Sequence, residues 1–269
     1  MTIENGFLDW KGSQVHYHRF GTGPRLLFAL HGYGDHAGLF DPLLPALHNS
    51  HTTYAIDLPF HGKTQWNGPR FLQADIHGIL LQLALENGQK RFDLMGYSFG
   101  GRIVQSLLWS CGPQVERMFL IAPDGLQTQG MSLATNTPYF LRALLGRLLQ
   151  RQPDFVVSLI DRLYQWKLIS RFVRDFCKLH LRTEKRRNRA MASWLSLHDF
   201  QFHPKELKKL LRQLDIPLHL YFGKRDKIVS SSGGEWLAKD LPNAQLHMLE
   251  GGHLLVGKEL QGLLAQQLS

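Results

Sequence analysis

The pentapeptide GYSFG at residues 96–100 constrains the fold of this chain more than any other stretch. A short apolar run precedes it, and an amphipathic helical pattern begins directly after it. This order predicts a strand, a sharp turn and a helix, with Ser98 at the apex of the turn. Strand and helix approach so closely in such a turn that glycine is required at Gly96 and Gly100. The Ser98 hydroxyl would then project from the sheet edge beside the positive end of the helix, which suits a nucleophile.

Strands and helices alternate on both sides of this turn. Residues 7–20 alternate loosely around a central Gly-Ser pair, which predicts an antiparallel hairpin. Further strands, most of them apolar enough to be buried on both faces, are predicted at residues 25–32, 52–59, 92–95, 115–125, 216–226 and 244–253. We therefore predict an α/β fold with a doubly wound, mostly parallel sheet of about eight strands.

The alternation is interrupted at residues 126–203, where only helical patterns occur. Helices are predicted there over the ranges 138–150, 154–167, 171–181 and 184–197. We predict a core formed by residues 1–125 and 204–269, with 126–203 inserted as an all-helical cap domain. Such an insertion would lie over the carboxyl ends of the strands, where open α/β sheets bind ligands.

Two residues that follow predicted strands have the chemistry that Ser98 requires. A serine hydroxyl needs a base within hydrogen-bond reach, and the base needs a group that orients it. Asp226 ends a strand within GKRDKIV, and His253 follows a strand within EGGHLLV. Both would lie at the same sheet edge as Ser98, in the chain order serine, acid, histidine. The sequence thus predicts a Ser98–Asp226–His253 triad, with Gly251 and Gly252 allowing the histidine loop to bend back.

An oxyanion intermediate would need two preorganised hydrogen-bond donors. The backbone N–H of Phe99 follows the nucleophile, and the second donor is expected from HGYG at residues 31–34, which follows the first buried strand. Within that loop we select the N–H of Tyr33. His31 is expected to brace the loop through hydrogen bonds rather than to act as a base.

Five segments in order, HGYGDHAGLF, DLPFHGKT, GYSFGG, FGKRDKIV and GGHLLV, resemble the α/β-hydrolase superfamily, in its serine-nucleophile branch with an inserted helical cap. The resemblance implies the triad of Ser98, Asp226 and His253, with Tyr33 and Phe99 as oxyanion donors. A serine at position 98 sets the chain apart from the dehalogenases and epoxide hydrolases, which need aspartate there. The loop PFH at residues 59–61 departs from the family, which usually has glycine before the histidine.

The acid of the triad has a second candidate. Asp124 ends the strand after the helix that follows Ser98, and some relatives place the acid at that point. Asp226 fits the common pattern more fully, and we select it. Asp124 would otherwise be a turn residue at the entry to the insertion.

The resemblance implies hydrolysis of a carboxylic ester or thioester through an acyl-enzyme, without cofactor or metal. The same triad also serves C–C bond hydrolases of vinylogous diketones and cofactor-free haloperoxidases or perhydrolases. A non-enzymatic alternative is a ligand receptor that keeps the hydrolase fold. Large apolar residues in the insertion are expected mostly to pack it together, with some lining an apolar substrate pocket: Tyr139, Phe140, Leu141, Leu144, Leu145, Leu148, Val156, Leu159, Ile160, Leu163, Trp166, Phe172, Phe176 and Trp194.

The net charge of +9 is concentrated in the insertion. Residues 131–205 contain 14 Lys and Arg against 5 Asp and Glu. The basic residues predict either a solvated face or a site for an anionic partner: an acyl carrier protein, a CoA thioester or an acidic lipid surface. No nucleic-acid-binding motif accompanies them. Two cysteines and no apparent signal peptide or membrane span predict a cytoplasmic protein.

Overall fold

The computed structural model describes residues 1–126, 139–169 and 171–268, and it contains one eight-stranded sheet in the order β1-β2-β4-β3-β5-β6-β7-β8. The strands are β1 (Ile3–Trp10), β2 (Ser13–Phe20), β3 (Arg25–Leu30), β4 (His51–Ile56), β5 (Phe92–Tyr97), β6 (Val115–Ile121), β7 (Leu218–Gly223) and β8 (Ala244–Leu249). The strand β2 is antiparallel to both of its neighbours, and all pairs from β4 to β8 are parallel. The predicted doubly wound, mostly parallel α/β sheet is confirmed.

The strand order reverses at the centre of the sheet. From β3 the chain crosses to β4 on one side, and it then returns to β5 on the other side of β3. Open α/β sheets bind ligands at such a switch point, beyond the carboxyl ends of the strands. The loop after β3 and the turn containing Ser98 both lie there, because Leu30 pairs with Gly96 at the ends of these two strands.

The four helices predicted within residues 126–203 lie close to their predicted ranges. The described helices are α1 (Leu44–Leu47), α2 (Gln73–Glu86), α3 (Phe99–Cys111), α4 (Tyr139–Arg151), α5 (Pro153–Gln165), α6 (Arg171–Leu181), α7 (Glu184–Ser196), α8 (Pro204–Leu214), α9 (Ser232–Ala238) and α10 (Lys258–Leu268). After β3, a 3-10 helix (Ala37–Leu43) precedes α1. It contains Pro42, which has no N–H to donate to a regular α-helix.

The chain divides into two compact units. The first comprises Met1–Gly68, Leu72–Gly130 and Phe200–Ser269, and the second comprises Pro69–Phe71 and Met131–Asp199. The backbone N–H of Phe71 donates a 3.0 Å hydrogen bond to Ser196 Oγ, which ties the short segment to α7. The division of the chain into a core and a cap domain with bounds at 126–203 stays a prediction. In the described ranges no helix has the length and apolarity that a membrane-spanning segment needs.

The helical unit has a small apolar core of its own. Leu149, Leu181 and Met191 are buried at its centre, and partly buried residues from α5, α6 and α7 pack against them: Val156, Val157, Ile160, Cys177 and Trp194. Three residues expected in the packing are instead exposed, namely Leu144, Leu159 and Trp166. The side chains of Tyr139, Phe140, Leu141, Leu145, Phe172 and Phe176 lie outside the described part of the structure.

Two histidines form a ring stack across β6, β7 and β8. The His219 ring lies 5.2 Å from the Phe119 ring and 5.9 Å from the His247 ring, with interplanar angles of 13° and 18°. The Tyr221 ring also stacks on His247, with 5.0 Å between the ring centroids. Burial, followed by the nearby His247 and Arg117, lowers the pKa of His219 to about 4, against a weak opposing effect of Asp93. Burial also lowers the pKa of His247.

The lowered pKa of His219 predicts acid-sensitive folding. In the unfolded chain a histidine titrates near pH 6.5. Between that pH and about 4 the unfolded state therefore binds more protons than the folded state does. The stability that the folded chain gains from burying a neutral His219 should be complete above pH 6.5 and lost as the pH falls toward about 4. We expect the thermal midpoint of wild type to fall over this window. The thermal midpoint should fall less in His219→Phe, because phenylalanine keeps the ring stack but does not titrate. A fall equal to that of wild type would show that His219 is not the source of the acid sensitivity.

Candidate active site

Ser98 occupies a strained turn between β5 and α3. Its backbone has φ 50° and ψ −113°, a combination that costs energy for a residue with a side chain. A Cβ atom at Gly96 would collide with the backbone of the following helix, and one at Gly100 would collide with the Leu30 carbonyl oxygen. The sharp turn predicted from GYSFG is therefore present, and both flanking glycines are required sterically.

The structure places Ser98, His253 and Asp226 in one hydrogen-bonded row. His253 Nε2 lies 2.9 Å from Ser98 Oγ, and His253 Nδ1 lies 2.8 Å from Asp226 Oδ2. The Asp226 side chain is completely buried, whereas that of His253 is 17% exposed. Asp226 Oδ1 accepts the backbone N–H groups of Ile228 and Val229 at 2.7 and 3.0 Å. Backbone N–H groups therefore hold one carboxylate oxygen, and the other oxygen faces the imidazole.

Backbone contacts hold the acid loop against the histidine loop. The N–H of Lys224 donates to Leu249 O at 2.8 Å, and the N–H of Arg225 donates to Gly251 O at 3.0 Å. A Cβ atom at Gly223 would collide with the carbonyl oxygen of Gly252. Neither Gly251 nor Gly252 has a positive φ. The expectation that these two glycines provide the bend stays a prediction, and the glycine that close approach requires here is Gly223, at the end of β7.

Asp124 is paired with an arginine of α3. The Arg102 guanidinium donates to both carboxylate oxygens of Asp124, at 2.7 and 3.2 Å. The Asp124 backbone N–H donates to Ser98 O at 3.0 Å, and its carbonyl accepts Gln105 Nε2 at 2.9 Å. Of the two candidate acids, the structure brings Asp226 to His253 and uses Asp124 to brace the turn around Ser98.

The loop after β3 carries Tyr33 and is braced by His31. His31 Nε2 accepts the backbone N–H of Leu58 at 3.0 Å, which leaves Nδ1 to donate to Gly32 O at 2.7 Å. Tyr33 and Phe99 both follow the carboxyl ends of neighbouring strands, β3 and β5. Their roles as oxyanion donors stay a prediction.

A second buried carboxylate fixes the same loop region. Asp57 Oδ1 accepts the N–H of Ala37 at 2.5 Å, and Oδ2 accepts the N–H of Lys63 at 2.8 Å and contacts His16 Nδ1 at 2.7 Å. Burial alone would raise the pKa of Asp57, but the hydrogen bonds from Lys63 and Ala37 hold it below the ordinary value. The sequence analysis missed this network, although Asp57 lies near the carboxyl end of the strand predicted at residues 52–59.

Two further residues at the site were not identified from the sequence. The Tyr97 ring lies 5.3 Å from the His253 ring, and burial, with Asp35 and Asp226 adding to it, raises the pKa of its phenol. Burial also raises the pKa of Asp35, while His36 and His253 oppose the rise. Both positions adjoin predicted site residues, since Tyr97 precedes Ser98 and Asp35 follows the HGYG loop.

Comparison with known families identifies the chain. A family model described as "Serine aminopeptidase, S33" matches residues 24–258. The chain belongs to this family, within the α/β-hydrolase superfamily. The protein is therefore an enzyme, a hydrolase, and the resemblance stated from the sequence motifs is confirmed.

Relatives of the hydrolase include named esterases. It is 26% identical over 254 residues to the uncharacterized hydrolase YugF of Bacillus subtilis, covering 91% of this chain and 89% of that protein. It is 22% identical to the pimeloyl-[acyl-carrier protein] methyl ester esterase of Nitrosomonas europaea, covering 87% and 90%. The fold is similar to that of a thermophilic esterase from Thermogutta terrifontis, with a TM-score of 0.69, 16% identity and coverage of 99% and 97%.

Ser98, His253 and Asp226 are the predicted site residues that the structure brings into hydrogen-bond contact. Within residues 1–126, 139–169 and 171–268, no group of three or more His, Cys, Asp or Glu side chains is placed to hold a metal ion. The row of hydroxyl, imidazole and carboxylate is suited to moving a proton away from Ser98 Oγ.

Proposed function

We propose that the hydrolase cleaves a carboxylic ester or thioester through an acyl-enzyme formed on Ser98. The observation that carries the proposal is the row from Ser98 Oγ through the His253 ring to Asp226, with distances of 2.9 and 2.8 Å. The strained turn of Ser98 and the N-terminus of α3 beside it add to the argument, because they hold the hydroxyl at the sheet edge. The Nitrosomonas relative, which is named as a methyl ester esterase, supports an ester as substrate.

In the proposed mechanism His253 Nε2 accepts the proton of Ser98 as Oγ attacks the substrate carbonyl carbon. Asp226 keeps the imidazole in the tautomer with a proton on Nδ1 and stabilises the imidazolium that forms. The N–H groups of Phe99 and Tyr33 donate to the oxyanion. His253 then returns its proton to the leaving alcohol or thiol as the carbonyl re-forms. Water next attacks the acyl-enzyme, losing a proton to His253, and the acid product leaves as Ser98 is protonated again.

Apolar side chains beside the triad favour an apolar acyl or alkyl group. Leu254, which follows His253, is 65% exposed, and Ile228, two residues after Asp226, is 46% exposed. A substrate chain that covered these side chains would remove apolar surface from water and gain affinity. The proposal that residues 126–203 select the substrate rests on their apolar and basic composition.

An anionic substrate carrier fits the charge of the hydrolase. Exposed basic residues occur on either side of the start of α7, at Arg182 and Lys185. The Nitrosomonas relative is named for an acyl carrier protein ester. We therefore propose a small acyl ester or thioester as substrate, presented free, on CoA or on an acyl carrier protein, in the cytoplasm.

Labelling with a fluorophosphonate tests the proposed nucleophile. We expect intact-protein mass spectrometry to show one adduct, and peptide mapping to place it on Ser98, because the reagent reacts with serines activated by a neighbouring base. A panel of p-nitrophenyl esters should be turned over, and vinylogous diketones should not. Absence of an adduct on Ser98, or preference for the diketones, would overturn the proposal in favour of the receptor or the C–C hydrolase.

A further inference from the structure

Helix α5 (Pro153–Gln165) is apolar on two opposite faces. One face contributes Val156, Val157 and Ile160 to the core of the helical unit. The other carries Phe155 and Leu159, followed past the helix end by Trp166 and Leu168, and these four side chains are 55%, 41%, 65% and 67% exposed. The spacing of 155, 159 and 166 places their side chains along one stripe of a helix with 3.6 residues per turn.

Basic side chains border this stripe, which we call the α5 outer face. Arg162 lies within it between Leu159 and Trp166, and Arg151 and Lys167 lie near its two ends, all three exposed. Arg171 is also exposed and has a 3.5 Å contact with Asp175. The exposed acid of the helix is Asp154, at the N-terminus, where the helix dipole favours a negative charge.

This combination is unusual for a surface that faces only water. Single exposed apolar residues are ordinary, such as Leu85 on α2, which is 72% exposed. Four large exposed apolar side chains lie within 14 positions and are interleaved with exposed Arg and Lys. Patches of this kind mark an interaction site.

We propose that the α5 outer face binds the surface of a membrane that contains anionic phospholipid. Trp, Phe and Leu can insert among the acyl chains just below the headgroups, while Arg and Lys remain at headgroup level and contact phosphate. An acidic carrier protein would engage the basic residues, but it would leave no reason for protruding Phe155, Leu159 and Trp166 beside them. A helix lying in the interface needs no membrane-spanning length. The inference does not depend on which residue is the nucleophile.

Vesicle co-sedimentation of the full chain tests the proposal. We expect binding to phosphatidylcholine vesicles that contain phosphatidylglycerol, and binding weaker by about tenfold or more to phosphatidylcholine alone. Combined replacement Phe155→Ser, Leu159→Ser and Trp166→Ser should lower partitioning onto the anionic vesicles by about tenfold or more. The pair Arg162→Glu and Lys167→Glu should lower it similarly, and it provides a second variant if the triple variant fails to fold.

Matched controls lie in the first unit. Leu85→Ser removes an exposed apolar side chain, and Lys205→Glu with Lys209→Glu makes the same change in charge on α8. Both should bind vesicles like wild type. Ser98→Ala should also bind normally, so a failure of the catalytic proposal would not affect this result.

Several results would overturn the membrane proposal. These are absence of binding to anionic vesicles, an equal loss of binding in the α8 pair, and normal vesicle binding by both α5 variants. A fall in kcat/KM for a soluble ester with vesicle binding unchanged would assign the stripe to the substrate site. Capture of an acidic carrier protein through the same side chains, without vesicle binding, would assign it to a protein partner.

Discussion

Ser98→Ala lowers kcat for a soluble p-nitrophenyl ester by a factor of about 10⁴ to 10⁶. The expected loss is this large because alanine removes Ser98 Oγ, which lies 2.9 Å from His253 Nε2 and forms the acyl-enzyme in the proposed mechanism. Substrate binding and the oxyanion donors would remain, so a small residual rate above the uncatalysed reaction is expected. The KM should change little, since the substitution removes one hydroxyl group and leaves the surrounding loops unchanged.

A second serine in this chain provides a matched control. Ser50 Oγ lies 2.8 Å from His51 Nδ1, and His51 Nε2 lies 2.9 Å from Asp93 Oδ2, so the same three side-chain types are again in a row. Here, however, Asp93 also accepts two hydrogen bonds from the Arg25 guanidinium, at 3.0 and 2.8 Å. These residues lie at the amino ends of their strands, away from the switch point. Ser50→Ala should therefore retain turnover; a loss equal to that of Ser98→Ala would contradict the assignment.

The sequence predicted the parts of the site that depend on local pattern and chain order. Strand, turn and helix around Ser98 follow from apolar runs and from glycine spacing. The carboxyl ends of parallel strands share one sheet edge, so Asp226 and His253 could be assigned to that edge without knowing the sheet order. The predicted and observed ranges of the helices within residues 126–203 agree closely for a similar reason, because amphipathic periodicity is a local property of the sequence.

Contacts between distant loops could not be predicted in this way. The clash that requires glycine at Gly223 arises from the Gly252 carbonyl, 29 positions further along the chain. The pairing of Arg102 with Asp124 depends on the depth at which α3 packs against the sheet. Helix α5 shows a further limit: apolar residues at helical spacing were expected to pack, yet the pattern does not indicate which of two apolar stripes faces the core.

Asp226→Asn lowers kcat by a factor of about 10⁴ and leaves the fold intact. Asparagine has nearly the same shape and can still accept a backbone N–H where Oδ1 accepts Ile228 and Val229. Directed at His253, however, an amide NH₂ favours the tautomer with the proton on Nε2, which faces Ser98 and cannot accept its proton. The amide also provides no negative charge to stabilise the imidazolium. Steady-state kinetics on the soluble ester, with circular dichroism as the check on folding, measure the effect.

Asp124→Asn provides the comparison, because the two acids lie in the same region and differ in partner. Removal of the Asp124 charge leaves the Arg102 guanidinium, whose side chain is only 8% exposed, without its carboxylate. We expect a loss of about 1–3 kcal/mol in the free energy of unfolding, since a buried charged donor then lacks a charged acceptor. Turnover per folded molecule should stay within a few-fold of wild type, because the row from Ser98 to Asp226 does not include Asp124. The opposite outcome would be a loss of turnover in Asp124→Asn and a loss of stability alone in Asp226→Asn. Asp124 would then be the acid that orients His253, and the assignment of Asp226 from its hydrogen bond to His253 Nδ1 would be wrong.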